Sequence, residues 1–431
     1  MKPDVIIIGG GVAGLAAAGS LVAAGKQVLL LEARERLGGR VYTSPTPGPG
    51  VPIELGAEFV HGKPRESWEI IEAAHLPVHP VVNRHYVRRD GRLIKVTDFH
   101  ERVNRVLGHP PEKGGRDRSV ADYLESRASS DPEAVALARA YVEGFHAADT
   151  TKMSLHGFAH AESATSGGGE TQWRLAVGYD TMVDWLRSRL PEASAQLRLG
   201  TVVRAVRWGP GRVEVDTQVG GGTGETVAAP QAIVTLPLGV LKASEGSPGA
   251  VRFTPELSDK HSALKRLEMG AILRLVLSFD AAFWAVSDLS FLHDATGLFP
   301  IWWTRAPVPA PVLTGWVGGP PAAALAQGGR HRIERRSIES LAHALGMEPA
   351  VVKSHLRETF YHDWIEDPFS RGAYSYVAVG GMGAEARLAE PVGGTLFFAG
   401  EATQSDGNLG TVHGAIASGH RAARQALQAH P

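Results

Sequence analysis

Three glycines close to the amino end have the spacing Gly9-x-Gly11-x-x-Gly14. They follow an apolar run at residues 5–8 and precede a stretch rich in Ala and Leu, as expected between a strand and a helix. Glycine there permits a tight turn, a close approach of the backbone to a pyrophosphate and tight packing of the helix on the strand. Glu32, 18 positions after Gly14, can accept hydrogen bonds from a ribose diol and would repel a 2′-phosphate. The pattern predicts a site for an adenine dinucleotide other than NADP, and on this motif alone both NAD and FAD stay open.

The composition narrows the possible classes of protein. The chain has 431 residues, of which 43% are hydrophobic and 21% charged, so it can bury a large core in two or three domains. Its 44 Lys and Arg residues nearly balance 45 Asp and Glu residues, which gives no field that would attract nucleic acid or an anionic membrane. No cysteine is present, which excludes disulfides, thiolate metal sites and a cofactor tethered through cysteine sulfur. We expect no bound metal. We also expect a cytoplasmic protein, because the sequence shows no secretory signal and no apolar run of about 18 residues.

The elements that would position the glycines and Glu32 recur at both ends of the chain. Residues 5–8 and 27–32 are predicted to be buried parallel strands on either side of a helix. The carboxyl end repeats a strand at 396–399, followed by a helix at about 412–428, and the middle of the chain is helix-like at about 120–145. We therefore predict an α/β fold, in which a doubly wound dinucleotide-binding domain is closed by both chain ends and carries an inserted α+β domain. The predicted bounds are residues 1–80, 178–272 and 362–431 for the first domain, and 81–177 and 273–361 for the second.

Further stretches along the chain match the motifs of one known family. The first is Glu32-Ala33-Arg34-Glu35-Arg36-Leu37-Gly38-Gly39-Arg40, in which two glycines and an arginine follow the ribose-binding acid. The others are residues 53–62 (IELGAEFVHG), 364–376 (beginning Trp364-x-x-Asp367-Pro368), 398–401 (FAGE) and 410–415 (GTVHGA). In this order they resemble the motifs of the flavin-containing amine oxidase superfamily, which includes monoamine oxidases, polyamine oxidases and lysine-specific histone demethylases.

The resemblance implies an FAD-binding domain and assigns the cofactor site residue by residue. The assigned residues are Gly9, Gly11, Ala13, Gly14, Glu32, Ala33, Arg34, Gly39, Arg40, Gly56, Ala57, Glu58, Phe59, Val203, Trp364, Gly400, Glu401, Thr411 and Val412. By the same resemblance, the adenosine and diphosphate are contacted by Ala13, Glu32, Arg34 and Arg40, and the adenine lies beside Val203. Glu58 and Phe59 are expected at the isoalloxazine ring, and Glu401 is expected to bind the ribityl–phosphate portion. Thr411 and Val412 are expected to begin a helix whose amides face the flavin N1–C2=O edge. Ala373 stands where monoamine oxidases carry the cysteine that tethers FAD, so non-covalent FAD is expected.

The same resemblance implies a reaction. A neutral amine would present its α C–H to flavin N5, hydride would pass to the ring, the imine would be hydrolysed, and dioxygen would be reduced to hydrogen peroxide. The residues that it assigns to the reaction centre are Tyr374, Arg274, Thr411, His61 and Trp364. Tyr374 matches one wall of an aromatic cage around the amine. Thr411 stands where monoamine oxidases have a second tyrosine, and His61 falls where polyamine oxidases carry a His or Glu near the substrate.

Arg274 is the main departure from the family pattern. It lies in residues 269–280, which align with the strand whose lysine holds a water over flavin N5 and assists the reaction with oxygen. An arginine is bulkier and stays charged at any working pH. Three consequences are open: weak oxygen reactivity, as in a dehydrogenase or slow oxidase; a preference for a substrate that carries a carboxylate; or a salt bridge between Arg274 and a neighbour.

Other residues leave the substrate open. Glu58, Glu162 and Glu170 are each able to attract a second amine of the substrate. The aromatic stretch at 299–303, together with Trp316, is able to line a substrate pocket or to serve only the core. The sequence does not select between a monoamine, a polyamine and an amino acid.

Two other functions share part of the pattern. A C–C desaturase or ring oxidase of the carotenoid or porphyrin type has the same first motif, although Tyr374 and its neighbours argue against it. A flavin-binding protein without turnover is the second, and Arg274 is its only support. The electron acceptor and the oligomeric state stay open as well.

Overall fold

The computed structural model describes residues 2–46, 48–108, 115–127, 131–167, 171–220, 222 and 224–429. The helices of these ranges are α1 (Val12–Ala23), α2 (Arg65–Ala73), α3 (Phe99–Leu107), α4 (Val120–Glu125), α5 (Pro132–Phe145), α6 (Leu155–Gly167), α7 (Asp180–Ser188), α8 (Leu238–Leu241), α9 (Ser258–Arg266), α10 (Gly319–Ala326), α11 (Gly329–Leu345), α12 (Pro349–His355), α13 (Ala384–Ala389) and α14 (Val412–Ala429). The strands are β1 (Val5–Ile8), β2 (Val28–Leu31), β3 (Val60–His61), β4 (Val78–Pro80), β5 (His85–Arg89), β6 (Arg92–Val96), β7 (Gln172–Leu175), β8 (Ala195–Arg198), β9 (Thr201–Gly209), β10 (Arg212–Val219), β11 (Glu225–Ala229), β12 (Gln231–Val234), β13 (Arg252–Thr254), β14 (Leu267–Met269), β15 (Ile272–Phe279), β16 (Phe291–His293), β17 (Ile301–Trp303), β18 (Val312–Gly318), β19 (Leu356–Tyr361), β20 (Ser375–Val377) and β21 (Leu396–Phe398).

Five parallel strands form the sheet that carries the predicted dinucleotide site, in the order β21-β12-β1-β2-β8. Strands β1 and β2 are buried along their whole length, because successive side chains face opposite sides and both sides are covered. Helices α1 and α14 cover one side, where Ile7 and Leu30 are buried. The antiparallel sheet β11-β10-β9-β13 covers the other side, against which Ile6 and Leu29 pack. The predicted α/β fold is confirmed, and strands rather than helices cover its second side.

Both ends of the chain lie in this sheet. Strand β12 alone separates β1 from β21, and α1 packs closely on α14. A Cβ atom on Gly419 would lie 2.2 Å from the carbonyl oxygen of Ala13, so the two helices cross at a distance that only glycine allows. The convergence of the two ends agrees with the sequence, while the predicted domain bounds stay a prediction.

The second large sheet has seven strands in the order β19-β15-β18-β17-β16-β5-β6. On one face, β15 buries Leu273, Leu275 and Leu277 in a core shared with α10 and α11. The intervening side chains of β15, among them that of Arg274, point to the opposite face. Helix α5 crosses that face, where the indole Nε1 of Trp316 donates to the carbonyl of Gly144 at 2.8 Å.

The helix-like stretch predicted at about 120–145 is present as two helices, α4 and α5. The side chain of Asp131 accepts a hydrogen bond from the amide of Ala134 at 3.0 Å, and Pro132 occupies the first turn. An acidic cap followed by proline starts a helix rather than continuing one. Within the described ranges, no helix combines the length and the apolar character needed to cross a bilayer.

Candidate active site

One cavity of about 1010 Å³ extends from the parallel sheet to the seven-stranded sheet. Nearly all of the residues that the sequence assigned to a site line this cavity: Gly9, Gly11, Ala13, Glu32, Ala33, Arg34, Gly39, Arg40, Gly56, Ala57, Glu58, Phe59, His61, Val203, Arg274, Trp364, Tyr374, Gly400, Glu401, Thr411 and Val412. Gly14 does not line it. Residues from motifs as far apart as Gly9 and Val412 therefore meet around one space.

The glycine motif forms a narrow cradle at one end of the cavity. Gly9 has a φ angle of +113°, and a Cβ atom there would lie 2.5 Å from the hydroxyl of Thr235. Gly14 packs on the turn, since its Cβ would lie 2.0 Å from the carbonyl oxygen of Gly9. Helix α1 begins after Gly11 without a side-chain cap, so the amides of its first turn are open to an anion.

Glu32 closes the cradle. Its Oε2 accepts a hydrogen bond from the amide of Gly10 at 2.7 Å, and its Oε1 accepts one from the amide of Arg34 at 2.9 Å. A carboxylate has further lone pairs, so the side chain keeps acceptor capacity for hydroxyl groups. The guanidinium of Arg34 donates to Asp367 at 2.8 Å and to Ser370 at 3.1 Å, which ties the cradle to the segment that contains Trp364.

Glu401 joins three motifs. Its Oε1 accepts a hydrogen bond from Arg40 at 2.8 Å, and its Oε2 accepts bonds from the hydroxyl of Ser375 at 2.6 Å and the amide of Gly410 at 3.0 Å. Ser375 follows Tyr374 in the chain, and Gly410 precedes Thr411. One buried carboxylate therefore fixes the backbone beside two predicted reaction-centre residues.

Tyr374 is part of the wall of the cavity. Its hydroxyl donates to the carbonyl of Phe145 at 2.7 Å, and burial raises the pKa of this phenol. Tyr374 is therefore held as a neutral ring with a fixed orientation.

Thr411 acts as the cap of α14, because its hydroxyl accepts a hydrogen bond from the amide of Gly414 at 3.0 Å and donates one to the carbonyl of Asn408 at 2.7 Å.

His61 and Trp364 lie on further walls. The ring of His61 meets that of Phe145 edge-on, with centroids 5.6 Å apart, and burial lowers the pKa of His61 to about 4. His61 is thus neutral at pH 7. The indole Nε1 of Trp364 donates to the carbonyl of Leu55 at 2.8 Å, and its ring packs on His362 at 4.1 Å.

Arg274 belongs to a buried cluster around Glu58, which we call the arginine cluster and define as Glu58, Arg174, Arg274 and Arg305. Glu58 accepts hydrogen bonds from Arg174 at 2.7 Å, from Arg305 at 2.8 Å and from Arg274. Arg274 also donates to the carbonyl of Gly56 at 2.8 Å. Burial by itself raises the pKa of Glu58, but the three guanidiniums outweigh it and hold this pKa well below the ordinary value.

The arginine cluster decides two of the open points. Of the three consequences considered for Arg274, a salt bridge with a neighbour is present in the structure. The Glu58 side chain is only 1% exposed and is outnumbered by cations, so it is not available to a second amine. Glu162 lines the cavity, where its carboxylate lies 2.9 Å from Nε2 of His146. Glu170 lies outside the described residues.

Several residues of the site were missed in the sequence. Arg174 and Arg305 lie far apart in the chain and far from Glu58, on elements that meet only after folding, so no spacing marks them. Phe145 lies at the end of α5, and no motif marks it in the sequence. The aromatic Trp303 and Trp316 do line the cavity, as one of the two alternatives for that stretch proposed. In the described part of the chain, no three His, Asp or Glu side chains are grouped so as to hold a metal ion.

Comparison with known proteins finds relatives that align over nearly the whole chain. Polyamine oxidase 2 of Arabidopsis thaliana is 32% identical over 471 aligned residues, which cover 98% of this chain and 87% of the relative. Lysine-specific histone demethylase 1 homolog 2 of the same plant is 30% identical, over 98% of this chain and 58% of the longer relative.

Solved structures share the fold. A putrescine oxidase solved with putrescine bound superposes with a TM-score of 0.80 at 19% identity, and 99% of each chain is covered. Cyclohexylamine oxidase from Brevibacterium oxydans gives a TM-score of 0.79 at 21% identity, again over 99% of each chain. A model of the family described as flavin containing amine oxidoreductase matches residues 12–427, nearly the whole sequence. With both chain ends around one cavity and this match across it, the chain belongs to the flavin-containing amine oxidoreductase family.

Proposed function

We propose that the protein is an amine oxidase that binds FAD without a covalent bond. It would oxidise the α-carbon of an amine, release an imine that hydrolyses, and reduce dioxygen to hydrogen peroxide. The observation that carries this proposal is that Tyr374 lines the same cavity as the cradle of Gly9, Gly11 and Glu32. Three of the proteins compared above are named as polyamine, putrescine and cyclohexylamine oxidases, and these names support an amine as the substrate.

The donors and acceptors of the cavity suit FAD. The open amides of α1 fit a pyrophosphate, and Glu32 fits a ribose diol. The amino end of α14, at Val412, offers its dipole to the negative charge that a reduced flavin carries. Because the sequence has no cysteine, and Ala373 stands beside Tyr374, no thioether to the flavin can form.

The roles of the other residues follow from charge and burial. When bound, FAD supplies the hydride acceptor. The face of Tyr374 binds the amine nitrogen, and its bond to Phe145 keeps the ring in place. The surplus positive charge of the arginine cluster disfavours an ammonium nearby, so the amine is bound as the free base. His61, neutral at pH 7, adds no further charge to this region.

A panel of amines tests the proposal. The FAD-loaded protein is mixed without oxygen with a monoamine, a diamine, a polyamine and an amino acid, and the flavin absorbance band is followed. We expect at least one amine to bleach the band, and peroxide to appear once air is admitted. If no amine bleaches the flavin, the proposal is wrong.

Two variants of one residue separate the ring of Tyr374 from its hydroxyl. Tyr374→Phe keeps the aromatic face, while Tyr374→Leu removes it. The nitrogen becomes positive as hydride leaves the α-carbon, and attraction of that charge to the ring face is worth about 0.5–2 kcal/mol, so Tyr374→Leu should slow flavin reduction by roughly 2- to 30-fold. Tyr374→Phe should stay closer to the unmodified protein. Equal losses in both variants would argue against a role for the ring.

A second candidate is a dehydrogenase with poor oxygen reactivity. It is favoured by the contacts of Arg274, whose Nη1 and Nη2 are engaged by Gly56 and Glu58. Stopped-flow reoxidation of the reduced protein by oxygen should then be slow and should become faster in Arg274→Lys. Equal rates would remove this candidate. The same contacts leave a carboxylate-bearing substrate with less support, which the amino acid of the panel tests directly.

A further inference from the structure

Two aromatic rings of the cavity wall already face a cation of the arginine cluster. The guanidinium of Arg174 lies 4.8 Å from the ring centroid of Phe59, and that of Arg274 lies 5.7 Å from the ring centroid of Trp303. Phe59 and Trp303 both line the cavity. A second positive charge on either ring would be repelled by the arginine beside it, so these two rings are poor walls for an amine nitrogen that becomes positive.

Trp316 and Tyr374 line the same cavity without such a neighbour. Within the described ranges, no lysine or arginine lies over either ring. Both rings pack on one apolar cluster, which consists of Ala147, Ile272 and Ala373. Every other residue of β18 is buried, whereas Trp316 is partly exposed. These two rings therefore share one region of the wall and keep aromatic surface for a ligand.

The carboxyl end of α5 holds both rings through consecutive carbonyls. Nε1 of Trp316 donates to the carbonyl of Gly144 at 2.8 Å, and the hydroxyl of Tyr374 donates to the carbonyl of Phe145 at 2.7 Å. The two carbonyls belong to the last turn of a helix of 14 residues, where helical partners run out. A helix end of this kind carries a partial negative charge. The two rings are thus fixed relative to each other by a group of favourable sign for a positive nitrogen.

Thr411 does not supply a second aromatic face. It stands where monoamine oxidases have their second tyrosine, and a threonine has no ring. Its hydroxyl is engaged by the amide of Gly414 and the carbonyl of Asn408. A second ring beside Tyr374 must therefore come from another element, and Trp316 of β18 is in the right place.

We propose that Trp316 is the second aromatic wall of the amine site, and that the carboxyl end of α5 sets it beside Tyr374. This inference rests on the proposed function and adds a specificity-determining residue to the same site. When hydride leaves the α-carbon, the lone pair of the nitrogen forms the second C–N bond of the imine and the nitrogen becomes positive. The face of Trp316 and the negative end of α5 stabilise that charge.

The test uses two variants of Trp316 in the FAD-loaded protein. Trp316→Leu removes the ring, while Trp316→Phe keeps an aromatic face. The limiting rate of flavin reduction is measured anaerobically by stopped flow with the amines that reduce the unmodified protein. Loss of one cation–π contact predicts a rate roughly 2- to 30-fold lower in Trp316→Leu, and Trp316→Phe should recover much of it.

The pH dependence of the same rate separates this role from a merely structural one, because it reports the pKa of the bound amine. A ring that favours positive nitrogen raises this pKa, so Trp316→Leu should shift the rate profile to lower pH. Trp208→Leu is the matched control. The indole Nε1 of Trp208 also donates to a carbonyl, that of Pro255 at 2.9 Å, but Trp208 lies on β9 and does not line the cavity.

Fluorinated tryptophan gives a second route that does not depend on the folding of Trp316→Leu. Fluorine withdraws electrons from the indole and weakens its attraction for a cation while the shape of the ring is nearly kept. The unmodified sequence made with fluorotryptophan should reduce its flavin more slowly than the same sequence made with tryptophan. In Trp316→Phe the same labelling should have a smaller effect.

The outcomes separate the two proposals. If no amine reduces the flavin of the unmodified protein, the proposed function fails. If amines reduce it but Trp316→Leu is as fast as Trp208→Leu, or Trp316→Phe loses as much as Trp316→Leu, Trp316 is not an aromatic wall of the amine site. An equal effect of fluorination in the unmodified sequence and in Trp316→Phe would overturn the inference as well.

Discussion

Glu58 and Glu401 are both buried, both line the cavity and both were assigned to the flavin site, yet their surroundings differ. Three guanidiniums and the indole of Trp303 donate to Glu58. Glu401 receives one guanidinium, from Arg40, and otherwise a hydroxyl and backbone amides. The first site carries a surplus of positive charge, and the second is balanced. The comparison separates a glutamate that neutralises a charge cluster from one that fixes the backbone.

The largest loss of stability is expected when Glu58 is neutralised. Glu58→Gln leaves three buried guanidiniums without an anion, and removal of one partner from a buried ion pair costs about 3–5 kcal/mol. We expect the denaturant midpoint of the FAD-loaded protein to fall by a corresponding amount. Glu162→Gln is the control, because that carboxylate lies on the same cavity but is 29% exposed. A loss for Glu58→Gln as small as that of the control would mean that the cluster is not held by its anion.

A double variant sharpens the first result. If surplus charge causes the loss, Glu58→Gln combined with Arg305→Met should be more stable than the sum of the single changes implies. Strict additivity of the two single losses would contradict the electrostatic explanation.

Glu54 extends the comparison to a buried glutamate without an ion pair among the described residues. It accepts hydrogen bonds from Thr43 and from the amide of Tyr179, both at 2.8 Å, and burial raises its pKa from 4.5 to about 7. Between these values the unfolded chain loses the proton and the folded protein keeps it, so stability falls as pH rises. Burial lowers the pKa of His61 from 6.5 to about 4, so its contribution to stability is lost as pH falls through that range.

Between about pH 4.5 and 6.5 the two groups therefore change the free energy of unfolding in opposite directions, each by roughly 3 kcal/mol. We expect denaturant midpoints of Glu54→Gln to fall on acidification across this window, and those of His61→Asn to fall on alkalinisation. The unmodified protein and the double variant should be flatter. Parallel curves for the two single variants would show that the pKa directions are wrong.

Glu401→Gln should cost less than Glu58→Gln. The amide oxygen of Gln can still accept from Ser375 or Gly410, and only one guanidinium loses its counter-charge, so about 1–3 kcal/mol is expected. Because Glu401 fixes the backbone beside Tyr374 and Thr411, the variant should also shift the flavin absorbance spectrum. Glu162→Gln again serves as the control. If neither the flavin absorbance spectrum nor the denaturant midpoint changes, Glu401 does not position the backbone beside Tyr374 and Thr411.

The smallest effect is expected at Ser375. Ser375→Ala removes one hydroxyl donor from Glu401, while the amides of Ser375 and Gly410 remain. A net loss of about 1 kcal/mol in the free energy of unfolding is expected. A loss as large as that of Glu401→Gln would mean that the hydroxyl, rather than Arg40, dominates this site.

The residues that the sequence assigned to the cradle and to the carboxyl-terminal site line one cavity, and the reason that they could be found is physical. In both, the backbone itself forms the site, and glycine spacing or a motif around Glu401 is visible along the chain. The contacts of Glu401 with Ser375 and Gly410 are also carried by two of the recognised motifs, so this region was within reach of sequence analysis.

The arginine cluster could not be predicted in the same way. Arg174 comes from β7, in the three-stranded sheet β3-β7-β4, and Arg305 comes from the loop after β17 of the seven-stranded sheet. Only the packing of these elements against each other brings both side chains to Glu58. Burial is what makes these residues important, and a single sequence does not reveal which arginine or histidine will be buried. The division of the helical stretch at 120–145, by contrast, was marked by Asp131 and Pro132 and was overlooked.

The order of strands in the parallel sheet has a consequence for biosynthesis. Strand β1 is made before its neighbour β12, which follows more than two hundred residues later, and α14, which covers α1, is made later still. Until then the apolar faces of the first βαβ unit have no permanent cover. The cavity that the ends of β1 and α14 share is therefore complete only after α14 has been made.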